Sequence, residues 1–373
     1  MVAAESGVSA ILHRWRHLIG PPRVDIPLLL ALLALIGVGL AVLHSAAAGD
    51  TRVVWSQAVR AGVGLAALLV LARVPPARLR LWAPWIYIAT LALLLLVPVF
   101  GTGRSGRHWL HLGFFYIQPA ELMKLSVPLM VASFLNDRTL PPRWGALVTC
   151  AVIIGVPTAL IAVQPDLGTA MIVGASGVFV VFFAGMAWWR IALLAGLAAL
   201  VAPLGWTFLH DYHRRRFMTF LDPEADPLGD GWNIIQSKIA VGSGGLWGKG
   251  WGEGTQSRLE FLPEHTTDFI FAVLAEDFGF IGVCVVLALF LFVIGRSLWI
   301  AANARDTFGR ILGSALALTL FVYVLVNGAM ISGMLPVIGV PMPLISYGGT
   351  SAVTLLASFG IVMSLRPQRK YRI

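Results

Sequence analysis

Long apolar runs separated by brief polar punctuation set the reading of this chain. The first runs from Ile26 to Leu43, and others of about 20 residues, the length that crosses a hydrocarbon core, follow at 54–73, 81–99, 119–135, 144–163, 168–187, 190–209, 269–295, 311–334 and 343–365. An all-α integral membrane protein with ten transmembrane helices is predicted. The small residues Ser45 to Ala48 resemble a signal-cleavage site. The run before them exceeds the about 7 to 15 residues of a signal peptide's apolar region, so it is predicted to stay as the first helix. No period of about 20 to 50 residues recurs, which excludes a solenoid. The pattern predicts a tail at 1–25, one helical membrane domain at 26–365 with a long loop at 210–268 between helices seven and eight, and a tail at 366–373.

Composition agrees with that class: 58% of residues are hydrophobic, 12% are charged and the mean hydropathy is +0.83, whereas a soluble domain carries about 25% charged residues. Cys150 and Cys284 both sit in apolar runs, which offers neither a disulfide framework nor a paired-cysteine metal site. The net charge of +9 is explained by topology. With the N-terminus inside, sixteen basic residues fall in inner segments and only Arg52, Arg104 and Arg107 in short outer loops. That bias predicts both termini in the cytoplasm and the 210–268 loop outside, with no need for nucleic acid as a partner.

Polar chemistry appears in four places where a bilayer discourages it. Glu121 and Lys124 share one face of the fourth helix, as a structural ion pair or as the wall of a wet cavity. Asp166, in the turn from Gln164 to Thr169, either caps the sixth helix or serves a site. Between Gly333 and Ser351, Pro and Gly are dense enough to break a helix, which implies a cavity wall or a packed kink. The fourth place is the glycine- and tryptophan-rich stretch from Gly242 to Gly254, followed by Glu260, Pro263, Glu264 and Asp268. Its glycines match no nucleotide-binding pattern. It is either an interfacial loop or a flexible backbone that approaches a ligand closely. Asp268, just before an apolar run, reads equally as a helix cap or as a catalytic acid.

Gln236 to Ala240, Gly242 to Leu246, Gly254 to Ser257, Leu262-Pro263-Glu264 and Asp268 to Ala272 together resemble the shape, elongation, division and sporulation (SEDS) family. The resemblance extends over nearly the whole chain, through Gln118 to Lys124, Gln164 to Thr169, Leu221 to Glu224 and Pro341 to Gly349. Lys238, Gly248-Lys249-Gly250 and Gly254 to Ser257 look like its elongation branch. Two positions depart from the family pattern. Thr266 stands where a His is common, and Arg107-His108 where Arg-Arg or Gln-Arg precedes the tryptophan.

What the resemblance implies is a peptidoglycan glycosyltransferase of the cytoplasmic (inner) membrane. It would polymerise lipid II during elongation, with a class B penicillin-binding protein and the elongation machinery as partners. Asp268 falls on the family's essential acid. Glu121, Lys124 and Asp166 fall on substrate-cavity positions, and Arg214 and Arg216 on basic positions of the long loop. Arg107 and Lys249 are further candidates for charge at the diphosphate, and Glu264 is the neighbouring carboxylate. No soluble cofactor is implied, and a divalent cation on the diphosphate stays open. The alternatives are a lipid-linked-sugar flippase, which needs charges along the full depth of a path, and a scaffold that only recruits a crosslinking enzyme. The clustering of Glu260, Glu264 and Asp268 at one end favours the enzyme.

Cysteine-accessibility labelling checks the predicted sidedness. Cysteines placed at Gly229 and Ser257 should react with an impermeant thiol reagent from outside, and one in the Arg296–Arg310 loop only after permeabilisation.

Overall fold

A computed structural model describes residues 23–103, 108–111, 113, 116–164, 166–193, 196, 200, 211–225, 227, 231–258 and 264–367. Its first helices start where the sequence supplies a cap or a proline. In α1 (Ile26–Ala46) the Asp25 carboxylate accepts from the Leu28 N–H, and in α2 (Thr51–Leu71) Asp50 does so from Arg52. Proline opens α3 (Pro76–Phe100) and α4 (Pro119–Asn136), where the missing N–H costs nothing. Between those two lies a small hairpin, β1 (Leu110–His111) against β2 (Tyr116–Ile117), which the hydropathy pattern does not predict.

The chain continues through α5 (Trp144–Val163) and α6 (Leu167–Phe183). Of the expected seventh span, 190–209, all but residues 190–193, 196 and 200 lie outside the described residues. The long loop contributes α7 (Asp211–Leu221), a turn of 3-10 helix at Pro223–Ala225, α8 (Trp232–Ser243) and α9 (Thr255–Arg258). Three helices close the bundle: α10 (Ile270–Ala302), α11 (Thr307–Ile331) and α12 (Gly349–Ser364).

Among the described residues six helices, α1, α2, α3, α5, α10 and α11, are long and apolar enough to cross a membrane, and α6 and α12 are shorter apolar helices. The chain is therefore an all-helical, multi-pass membrane protein. At its centre α4, α6 and α11 pack on one another, with α3 and α5 on one flank, the α1–α10 pair on another, and α12 against α2. Close approach is made by small residues, as is usual where lipid removes the hydrophobic drive between helices. A Cβ on Gly360 would lie 2.5 Å from the Leu68 carbonyl oxygen.

At one end of the bundle a charge cluster ties three helices together. Asp25 is fully buried, and the Arg296 guanidinium meets it with two hydrogen bonds, Nε to Oδ1 at 3.0 Å and Nη2 to Oδ2 at 2.8 Å. Arg366, just beyond α12, adds a 3.2 Å contact, and Arg23 donates to the Ser364 carbonyl at 2.7 Å. Asp25 thus caps α1 while joining the ends of α10 and α12. Asp25→Ala removes a helix cap and charge-assisted bonds together, so it should cost about 2 to 4 kcal/mol. A lowered thermal midpoint of the detergent-solubilised protein checks it.

Candidate active site

The opposite end gathers the starts of α4, α6 and α10 and the connection from α11 to α12. Hydropathy extends the last span from 343, but the helix begins only at Gly349, and Ser332–Gly348 contains no regular helix. Pro336, Pro341 and Pro343 lack an N–H to donate, and Gly333 and Gly339 adopt φ of +70°, which ordinary side chains resist. Broken backbone inside a bundle needs partners from side chains, and here it finds them. The Arg216 guanidinium donates to the Val337 carbonyl at 2.8 Å, and Gln57 Nε2 donates to the Ser346 carbonyl at 3.2 Å. Ser346 Oγ accepts from the Met342 N–H at 2.8 Å, and the Thr266 carbonyl accepts from the Tyr347 N–H at 2.9 Å. The segment forms a wall beside the residues just before α10.

Asp268 stands against that wall. A Cβ placed on Gly339 would lie 3.5 Å from its Oδ2. The cap position of α10 is Phe269, with no side-chain hydrogen bond, so the carboxylate of Asp268 is not spent on capping. Burial pushes it up to about 6, helped by the Glu264 and Asp166 carboxylates and opposed by the Arg216 guanidinium. Glu264 is exposed, sits at φ +59° and accepts from the Thr267 hydroxyl at 2.6 Å.

Asp166 is a helix cap that is also tied to the residue preceding α4. One carboxylate oxygen accepts from the Thr169 N–H at 3.0 Å, capping α6, and the other accepts from Gln118 Nε2 at 2.9 Å. Glu121 and Lys124 form a buried ion pair, Nζ to Oε1 at 2.6 Å. The same ammonium lies 5.1 Å from the centre of the Tyr323 ring, and Thr354 Oγ1 is 3.4 Å from the second Glu121 oxygen. Beside the pair a cavity of about 20 Å³ is lined by Lys124, Thr319, Tyr323, Ser351 and Thr354, room for about one water molecule.

The remaining candidates divide. Arg214 and Arg216 lie on α7, and Arg216 reaches the wall. Arg107 and Glu260 lie outside the described residues. Lys249 was expected at the diphosphate, but its ammonium is bound to the fully buried Glu276, Nζ to Oε1 at 2.6 Å, and to Thr255 Oγ1 at 2.8 Å. Glu276 also accepts from the Thr255 and Gln256 N–H groups, so this pair anchors the glycine-rich loop to α10. Three neighbours went unnamed in the sequence reading. Tyr323 and Asn327 of α11 are lone polar residues in an apolar run, and Arg60 of α2 lies 4.6 Å over the Tyr347 ring. For Arg60 the signal was a charge inside a predicted span.

A multi-pass membrane protein with carboxylates and cations gathered at one end of its helices is the class that this geometry defines. The chain belongs to the FtsW, RodA and SpoVE family of cell cycle proteins, whose model it matches over residues 26–371. It is 50% identical over 349 residues to peptidoglycan glycosyltransferase MrdB of Escherichia coli (strain K12), covering 93% of this chain and 94% of that protein. It is 33% identical over 367 residues to stage V sporulation protein E of Bacillus subtilis (strain 168), covering 93% and 98%. A solved structure described as the structural coordination of polymerization and crosslinking by a peptidoglycan synthase complex matches with TM-score 0.79 at 35% identity, covering 91% of this chain and 96% of that one. The rod shape determining protein RodA of Thermus thermophilus matches with TM-score 0.69 at 31% identity, covering 91% and 95%.

Removing one member of the buried Glu121–Lys124 pair strands the other, which typically costs about 3 to 5 kcal/mol. Lys124→Met should therefore lower the yield of folded protein sharply, and Glu121→Leu with Lys124→Met should restore most of it. Size-exclusion profiles and thermal midpoints of the single and double variants check this.

Proposed function

We propose that this chain is a peptidoglycan glycosyltransferase that polymerises lipid II during cell elongation, with Asp268 as its general base. The observation that carries the reading is the carboxylate of Asp268, half-buried and not used as a cap, in a chain half identical along nearly its whole length to a peptidoglycan glycosyltransferase. The 4-hydroxyl of one lipid-linked disaccharide attacks the anomeric carbon of the other as Asp268 takes the hydroxyl proton. The bond to undecaprenyl diphosphate breaks, the configuration inverts and a β-1,4 linkage forms.

Charge that develops on the departing diphosphate needs cations, and Arg107, Arg214 and Arg216 are the side chains we assign to it, whereas Lys124, expected there too, is buried against Glu121 and neutralised by it. Among the described residues no three His, Cys, Asp or Glu side chains come together to hold a metal ion. None of these steps is routed through a divalent cation.

The topology that serves this chemistry has ten spans, both termini in the cytoplasm and the 210–268 loop as an outer cap on a single domain of the inner membrane. Alternation of the described helices supports it, because Asp25, Arg296 and Arg366 meet at one end and Asp166, Asp268 and Gly339 at the other. A class B penicillin-binding protein is the crosslinking partner, and the match to a peptidoglycan synthase complex supports that choice. A flippase would need charge along the full depth of a path. The described site charges collect at one end instead.

Asp268→Asn should fold, insert and bind its partner, yet polymerise lipid II about 10²- to 10⁴-fold more slowly, the usual loss with a general base. Glu264→Gln should keep activity. Parental rates in Asp268→Asn alongside loss in Glu264→Gln would move the role to Glu264. A base works only when ionised, so with Asp268 pushed up to about 6 the rate should be flat above that pH and fall below it. Initial rates of glycan formation from labelled lipid II between pH 4.5 and 8 read both effects.

A further inference from the structure

Asn327 lies on α11 with no solvent exposure, a costly place for an amide, and because its buried Oδ1 has no hydrogen-bond partner among the described residues its hydrogen bonding rests on Nδ2 alone. Its Nδ2 donates twice, to the Asp268 main-chain carbonyl at 3.0 Å and to the Val340 carbonyl at 2.7 Å. Neither carbonyl belongs to a helix. Asp268 precedes α10, whose first turn is closed by the Ala272 N–H donating to Phe269 rather than to Asp268. Val340 lies in the wall segment, next to the Gly339 against which the Asp268 carboxylate stands. One side chain thus ties the backbone of the acid to the surface that the acid's own carboxylate faces.

We infer that Asn327 is a positioning residue for Asp268, fixing the distance between that carboxylate and the Gly339–Val340 wall. The inference rests on Asp268 acting as the base. A tie at both carbonyls leaves the acid little freedom to swing, because the amide is rigid and seated on a packed helix. Tyr323 sits one turn earlier on α11, beside Lys124. The same helix face therefore relates the base to the buried Glu121–Lys124 pair. Loss of the amide should let the segment before α10 drift from the wall, and a misplacement of about 1 Å can cost on the order of 10²-fold in rate. It should also admit water beside Asp268 and ease its desolvation, while Glu264, Asp166 and Arg216 still face it. The acid limb of the rate profile should then move to lower pH.

The test uses the full chain in proteoliposomes with lipid II, comparing the parent with Asn327→Leu, Asn327→Gln and Asp268→Asn. Asn327→Leu should be folded by size exclusion and lose about 10- to 100-fold in kcat. Its KM should stay within about twofold, because the base acts on the transition state more than on binding, and its acid limb should shift to lower pH. Asn327→Gln, which keeps the amide on a longer stem, should fall between. A folded Asn327→Leu with parental kcat and an unmoved acid limb overturns the inference. So does a loss confined to KM or to thermal stability, and so does failure of both Asn327 variants to fold, since the amide would then be structural only. Parental activity in Asp268→Asn would instead overturn the assignment of the base, a different outcome from parental activity in Asn327→Leu alone.

Discussion

Backbone polar groups enclosed by membrane helices must find partners within the protein, and the Ser332–Gly348 connection is where that constraint shapes the molecule most. A segment with three prolines and two left-handed glycines has no ladder to join. Its carbonyls and N–H groups are met instead by Gln57 from α2, Thr266 from the approach to α10, Arg216 from α7 and Asn327 from α11. Four separate parts of the chain are therefore fixed relative to one another by satisfying one broken stretch. The acid-bearing segment before α10 is one of them, which is why Asp268 has a defined surface in front of it.

The charges of the bundle follow a related logic. Buried ions survive where a partner compensates their desolvation. Asp25 with Arg296 and Arg366, Glu121 with Lys124, and Glu276 with Lys249 are three such arrangements, each tying different elements or turns. Asp268 differs. Two other carboxylates act on it against a single guanidinium, and burial outweighs that guanidinium, which raises its proton affinity toward the range useful for a base near neutral pH.

Much of this was legible in the chain. Pro119 opens α4 and Trp144–Val163 forms α5 where the apolar runs predicted, since a helix is the local answer to about 20 apolar residues in lipid. The acids of the site end could also be named, because a carboxylate beside an apolar run is conspicuous. Their employment could not be read. Asp166 is a cap and Asp268 is not, although each lies within two residues of the start of a predicted helix. Lys249 looked like a ligand for an anion and is held by Glu276, a residue 27 positions away inside an apolar helix. Asn327 and Tyr323 carried no local signal beyond their polarity.

By itself the sequence determined that the protein is helical, multi-pass and bound to the membrane, and which residues were chemically able to act, because hydropathy and side-chain chemistry are local properties. Only the tertiary structure decided which of those groups neutralise one another and which carboxylate is raised in proton affinity instead. Desolvation and hydrogen bonding depend on what stands within a few ångströms, and for Asp268 that company comes from the Gly339 wall, Asn327 and Arg216, all distant in the chain. The last helix shows the same division. Its apolar character was written from residue 343 onward, but the wall's prolines and their partners on other helices delayed its start to Gly349.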